Sequence, residues 1–298
     1  MKTVLIACLM TLVAVAGPLP ETAFRRTPYV GAISVNAQTG AVLFENHADQ
    51  IARPASVTKL MTLLLVLEDM HAFKYDPTKR VTASVRCSQE KPSVVGLRPG
   101  QSMTVDDLLY SIMVKSANDA AVLLAEHSTA ANAGRDIQPG DLQAFVARMN
   151  AKAKALGMAS THYETPNGYP PKPGSKRPFD TSTPRDLVKL AKAVLAYPEV
   201  FRWTKTKLCT VTDGAGNPLK MVNHNNILVK DKQKILNEKG ESEVDGLKTG
   251  YIDAGGSSII LTAQRNGKRA IVVVVGSQSS KLRDTHAREL MVKALDSL

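Results

Sequence analysis

Cysteine is scarce in this chain, with three in 298 residues, too few for a disulfide framework. If Cys8 is lost with a leader, Cys87 and Cys209 remain, and their spacing leaves pairing and free thiols equally open. The glycine patterns of dinucleotide and phosphate-loop sites are absent, and so is a His-Glu-x-x-His helix. The six histidines stand apart from one another, so neither a cofactor nor a metal is expected. Aromatics make up only 5% of the chain, and its basic residues are dispersed rather than clustered. The net charge of +11 therefore does not argue for nucleic acid; solubility or a polyanionic surrounding explains it as well. No apolar run reaches the roughly 20 residues that a bilayer core requires.

What is present is ordinary globular material, 44% hydrophobic, enough for a large core in one or two domains. Residues 1–16 have a basic tip at Lys2, an apolar run from Val4 and the small-residue exit Ala14-Val15-Ala16. They read as a secretory signal peptide cleaved near Ala16. Leu5-Ile6-Ala7-Cys8 resembles a lipoprotein box only superficially, because the apolar run continues past it.

Hairpin signals flank Gln38-Thr39-Gly40, and an apolar helix follows from Ser56 to near Met70. Thr104 is set to cap a helix whose run is interrupted at Ser116-Ala117-Asn118-Asp119. Leu142 to Leu156 reads as an amphipathic helix ended by Gly157. The proline-rich 169–178 segment must be a loop, and Thr183-Pro184 opens another helix. A hairpin turning at 213–217 and a lysine-rich 230–243 tract precede two β runs joined by Asn266-Gly267, and a helix from Lys281 to Leu295 closes the chain. With strands at both ends and helices between, the expected fold is α+β, an α/β sandwich. Its mostly antiparallel sheet comes from about 24–72 and 184–298, with an inserted helical part at about 73–183. Residues 24–298 would form one catalytic domain.

The densest chemistry lies at Ser56-Val57-Thr58-Lys59. Pro54 favours a helical start near Ser56, and residues three apart share a face, so the Lys59 amine can reach the Ser56 hydroxyl. A Ser-x-x-Lys pattern alone is weak evidence, and Ser88-Gln89-Glu90-Lys91 matches it just before Pro92 without launching a helix. Two further motifs follow in order, Ser116-Ala117-Asn118 and Lys248-Thr249-Gly250. Ser34-Val35-Asn36 also fits the second pattern, but precedes the serine and lies in an expected strand. The ordered set is the signature of penicillin-recognising serine enzymes, with Ala117 where that pattern has aspartate.

From Tyr29 to Leu298 the chain resembles the D-alanyl-D-alanine carboxypeptidase family of low-molecular-mass penicillin-binding proteins, with a β-lactamase/transpeptidase-like fold. Leu97-Arg98-Pro99-Gly100 and Val244-Asp245-Gly246 ahead of Lys248 are similar to family phrases in the same order. The resemblance implies an acyl-enzyme on Ser56, with Lys59 as base and Ser116 as proton relay. It also implies Asn118 on the substrate amide, backbone N–H groups of Ser56 and Tyr251 for the oxyanion, and Lys248, Thr249 and Arg283 for the terminal carboxylate. Gly250 would let the substrate backbone approach. Strand alternation sends Lys248 and Thr249 to opposite faces, however, which leaves unexplained how both meet one ligand.

The implied substrate is the peptidoglycan stem ending in D-Ala-D-Ala, with β-lactams as covalent inhibitors. Tyr251 stands where relatives often have histidine, and His224 where they have arginine. The rival readings are a D,D-endopeptidase cutting crosslinks, a class A-like β-lactamase, for which Glu164-Thr165-Pro166-Asn167 is a poor match, and a non-catalytic β-lactam sensor. Relatives continue into a β-domain and an amphipathic membrane helix; stopping short of these, the chain is expected to be periplasmic or secreted without a stable membrane anchor.

Overall fold

A computed structural model describes residues 28–72, 74–230, 235 and 243–298. The expected leader and its exit near Ala16 lie outside the described residues, as does most of the 230–243 tract.

Five strands form the main sheet. β1 (Gly31–Asn36) and β2 (Val42–Asn46) come from the N-terminal end, and β7 (Val244–Ile252), β8 (Gly256–Arg265) and β9 (Lys268–Ser277) from the C-terminal end. The order β2-β1-β9-β8-β7 is antiparallel throughout, so the two ends of the chain meet at the β1–β9 pair. Asn266 and Gly267 both have positive φ, 50° and 79°, the conformation that a tight Asn-Gly turn between right-twisted strands requires.

Central strand β9 is apolar and buried from Ala270 to Val275 because both of its faces are covered. Its alternate residues divide between two cores. Val272 and Val274 join Ile259, Leu261, Met291 and Leu295 under α8 (Ser280–Asp296), while Ile271, Val273 and Val275 face the helical side. On that side stand α1 (Lys59–His71) and α5 (Pro184–Leu195). Ten of the 13 residues of α1 are buried, as its all-round apolar sequence demands. Each fully buried leucine there contributes roughly 1.5–3 kcal/mol, so the helix is a rigid pedestal for whatever sits at its start.

The middle of the chain carries α2 (Val105–Tyr110), α3 (Asn118–Asn132) and α4 (Asp141–Ala155). Thr104 caps α2 by accepting from Asp107 N at 3.0 Å. The region also holds a short antiparallel pair, β3 (Arg80–Thr82) with β4 (Ser102–Thr104), in the stretch read from sequence as short β-like pieces. A further hairpin, β5 (Leu208–Thr212) with β6 (Pro218–Val222), stands apart from the main sheet and borders the groove described next. Two short helices, α6 (Phe201–Thr204) and α7 (Asn226–Lys230), flank that hairpin in sequence. Among the described residues, no helix is long and apolar enough to cross a membrane.

Candidate active site

The start of α1 differs from the expected helix beginning near Ser56. Residues Ala55–Thr58 form a 3-10 turn, and the α-helix begins only at Lys59. With three residues per turn, a 3-10 segment stacks positions three apart directly over one another. Lys59 Nζ accordingly lies 2.9 Å from Ser56 Oγ.

The same amine donates to Asn118 Oδ1 at 2.7 Å and to the Asn167 carbonyl at 2.8 Å. The Asn118 amide is oriented by its Nδ2, which donates to the Pro92 carbonyl at 2.6 Å. Asn118 Oδ1 and Asn167 O can only accept, so a neutral Lys59 amine spends its two N–H bonds on them and turns its lone pair to the Ser56 hydroxyl. Burial, followed by the nearby Lys248 cation, pushes the Lys59 pKa well below the ordinary lysine value. Geometry and electrostatics thus both favour an amine that can take the Ser56 proton.

Ser116 explains the interrupted helical pattern. A π-turn at Ser111–Lys115 ends at Ser116, whose left-handed backbone (φ 60°, ψ 34°) redirects the chain before α3 opens at Asn118. Lys248 Nζ donates to Ser116 Oγ at 2.9 Å and to the Thr249 carbonyl at 2.9 Å. Burial, and then the charge of Arg283, lowers Lys248 to about 7.

Alternation holds at Lys248 and Thr249, for Thr249 lines the cavity while Lys248 is buried and reaches Ser116. β7 is an edge strand, and Thr249, Gly250 and Tyr251 are its residues in the cavity wall. Ser56, Ser116, Thr249, Gly250, Tyr251 and Arg283 all line one cavity of about 590 Å³, with Lys59, Asn118 and Lys248 buried beside it. Arg283 is 4% exposed and bonds the adjacent Asp284 at 2.6 Å, so it is no solvated residue of the last helix. Tyr251 is 60% exposed, its hydroxyl donating to Asp253 at 2.6 Å.

At Gly250 the structure shows a second need for the missing side chain. A Cβ there would meet Pro54 O at 2.6 Å and Ser56 N at 3.0 Å, so the missing side chain makes room for the serine turn, and Gly250 also lines the cavity. β7 seats directly on the backbone of the nucleophile candidate.

Sequence reasoning missed several groups. Asn167 acts through its carbonyl, and Pro92 likewise, and a main-chain acceptor leaves no residue-type signal. Lys115, Lys220 and Lys230 add positive charge to the cavity rim, and His224 lines it as well. His224 is lowered to about 4, by burial first and then by Lys248, Lys115, Lys59 and Arg283. Cys87 and Cys209 are unpaired. Among the described residues, no group of three or more His, Cys, Asp or Glu forms a metal site. The arrangement is that of a serine with a buried amine beside it, a second serine backed by a second amine, and a cationic rim suited to a carboxylate.

Comparison with known proteins agrees with this arrangement and with the transpeptidase-like fold. The chain is 29% identical over 260 residues to D-alanyl-D-alanine carboxypeptidase DacF of Bacillus subtilis, covering 87% of this chain and 60% of that protein. It is 30% identical over 285 residues to D-alanyl-D-alanine carboxypeptidase DacC of Escherichia coli, covering 91% of this chain and 64% of that one. It thus spans about three fifths of the length of these curated relatives. Penicillin-Binding Protein D2 of Listeria monocytogenes, solved in an ampicillin-bound form, superposes with a TM-score of 0.72 at 27% identity, over 90% of this chain and 98% of that one. The profile described as D-alanyl-D-alanine carboxypeptidase matches residues 29–279, from the first strand through all three motifs to the last strand, and by that match this chain belongs to the D-alanyl-D-alanine carboxypeptidase family.

Proposed function

We propose that the protein is a serine-type D-alanyl-D-alanine carboxypeptidase acting on peptidoglycan stem peptides outside the cytoplasm, and that β-lactams acylate it. The observation that carries this reading is the Lys59 amine, 2.9 Å from Ser56 Oγ with its other two partners obligate acceptors.

In the proposed reaction, Ser56 Oγ attacks the carbonyl carbon of the penultimate D-alanine as its proton passes to the neutral Lys59 amine. The carbonyl electrons move onto the oxygen, which the backbone N–H groups of Ser56 and Tyr251 receive. Collapse of this adduct breaks the C–N bond, and Ser116, backed by Lys248, gives its hydroxyl proton to the departing D-alanine nitrogen and takes up the one held on Lys59, which returns to the neutral amine. Asn118 holds the substrate amide. Lys248, Thr249 and Arg283 hold the terminal carboxylate, and Arg283, buried and permanently charged, is the suited anchor. Water then attacks the Ser56 ester carbonyl, its proton passing to the neutral Lys59 amine and from there to the departing Ser56 Oγ, which frees the acid product and restores the enzyme. Gly250 acts indirectly, by letting β7 close on the serine turn. Residues 24–298 are read as the catalytic domain, and residues 1–16 as the signal that exports it.

The test is incubation with a labelled penicillin, followed by adduct mass and by D-alanine release from a pentapeptide and from a crosslinked dimer. A stable adduct on Ser56 with D-alanine released from the pentapeptide is expected. Cleavage of the dimer alone would make it an endopeptidase, and rapid adduct turnover a β-lactamase. Labelling that survives Ser56→Ala would sink the assignment.

A further inference from the structure

The sequence contains a second Ser-x-x-Lys, Ser88-Gln89-Glu90-Lys91, with no evident use. Its serine and lysine stay out of the cavity, but the glutamate between them does not stand idle. Glu90 Oε2 accepts from Asn167 Nδ2 at 2.9 Å, and Asn167 is the residue whose carbonyl accepts from Lys59 at 2.8 Å. The other Glu90 oxygen pairs with Arg86 Nη1 at 2.6 Å, the glutamate side chain being 8% exposed and the arginine 47%. The chain then passes over the second motif. Pro92 O accepts from Asn118 Nδ2 at 2.6 Å, Ser93 O from Asn118 N at 2.7 Å, and Ser93 Oγ donates to Lys115 O at 2.7 Å. One short segment, 90–93, therefore reaches both amide-bearing partners of Lys59.

We propose that Glu90 is a positioning residue for Lys59, fixing the amine through Asn167 and supplying the negative charge that keeps it basic enough to accept the serine proton. The inference rests on the reading that Lys59 is the base.

The charge argument follows from what faces the amine. Burial and the Lys248 cation on β7 drive protons off Lys59, while His224 beyond β6, itself lowered to about 4, is neutral there and adds no charge. A base stripped of too much proton affinity is as useless as one permanently charged. Three carboxylates oppose that drift, Glu90 foremost, then Asp180 and Asp119. Asp180 is committed to Thr58, Glu164 and Thr165, and Asp119 to the amides of Val95, Gly96 and Leu97. Among the described residues, only Glu90 both carries charge toward Lys59 and bonds a residue that holds it. Arg86, at the outer end, tempers that charge.

The experiment is the pH dependence of the second-order rate of penicillin acylation, read as adduct on Ser56, for wild type, Glu90→Gln, Glu90→Ala and Arg86→Ala. Glutamine keeps an acceptor for Asn167 and removes the charge, so its acid limb should move to lower pH by about half a unit or more. Alanine should move the limb likewise and lower the plateau about tenfold, because the amine is also released. Arg86→Ala should move the limb the opposite way, to higher pH. A general loosening of the fold would not displace limbs in opposite directions. If the limbs of Glu90→Gln and Arg86→Ala coincide with wild type, or move the same way, the proposal is wrong. If wild type itself forms no Ser56 adduct, the parent reading fails first and is recognised as such.

Discussion

Lys248 Nζ donates to Ser116 Oγ across 2.9 Å, joining an edge strand to a left-handed serine 132 positions earlier. That contact holds an amine in a place hostile to its charge. Lys248 has an ordinary value of 10.5 and is lowered to about 7 in the fold, so the unfolded chain binds the extra proton between those two pH values. Stability from this group is therefore lowest at and below pH 7 and recovers as pH rises toward 10. Lys248→Met should melt above wild type at pH 7, by on the order of 4 kcal/mol before losses in packing. The gap should shrink steadily to pH 9.5, while turnover is lost at every pH. Calorimetry across that range checks it, and a gap independent of pH would show that Lys248 is charged in the fold.

Gly250 and the serine turn give a second prediction. A methyl group at 250 would press on Pro54 O at 2.6 Å and Ser56 N at 3.0 Å, both main-chain atoms that cannot swing aside. Gly250→Ala should push β7 off the turn by a fraction of an ångström and disturb the Ser56 and Tyr251 N–H groups proposed to receive the oxyanion. Misplacement on that scale costs up to about 10²-fold in rate. The acylation rate should fall by that order, with far-UV circular dichroism unchanged.

The legible parts of this protein were those carried by side-chain type. Three motifs bring Ser56, Lys59, Ser116, Asn118 and Lys248 to notice, a β-rich run at 270–275 places β9, and an all-round apolar run places α1. What escaped was written in main-chain atoms and topology. Nothing in Asn167 or Pro92 as letters says that their carbonyls hold Lys59 and Asn118. Gly250 reads as room without saying that the serine turn occupies it. Strand alternation likewise did not say that Lys248 would be buried against Ser116 while Thr249 lines the cavity.

The two later cysteines, left open by sequence, are free in the fold, Cys87 fully buried and Cys209 partly so. Burial pushes the Cys87 thiol up to about 11, so almost no thiolate exists near neutrality. A maleimide should leave Cys87 unlabelled in the native protein over hours and label it within minutes in denaturant. Both thiols should be available in denaturant without any reductant, as intact-mass analysis would register, and reductant should not change the melting temperature. A need for reductant would establish a disulfide that this fold does not contain.

Asp180 ties together the two segments that present Ser56 and Asn167. Its carboxylate accepts from Thr58 Oγ1 at 3.1 Å, next to the serine, and from Glu164 N, Thr165 N and Thr165 Oγ1 at 2.8, 3.1 and 2.9 Å. Asp180→Ala would orphan these donors in a site 5% exposed, costing roughly 2–3 kcal/mol in urea melts and about tenfold in acylation. Its pH signature is opposite to that of Lys248. Burial raises Asp180 to about 6, above its ordinary 3.8, so the folded state holds the proton more tightly and this contribution falls as pH rises from 4 to 6. Asp180→Asn keeps the shape and removes the titration. The advantage of wild type over that variant should therefore be larger at pH 4 than at pH 7, by on the order of 2–3 kcal/mol. Paired urea melts at the two pH values decide it, and an equal advantage at both would mean that the aspartate stays ionised throughout.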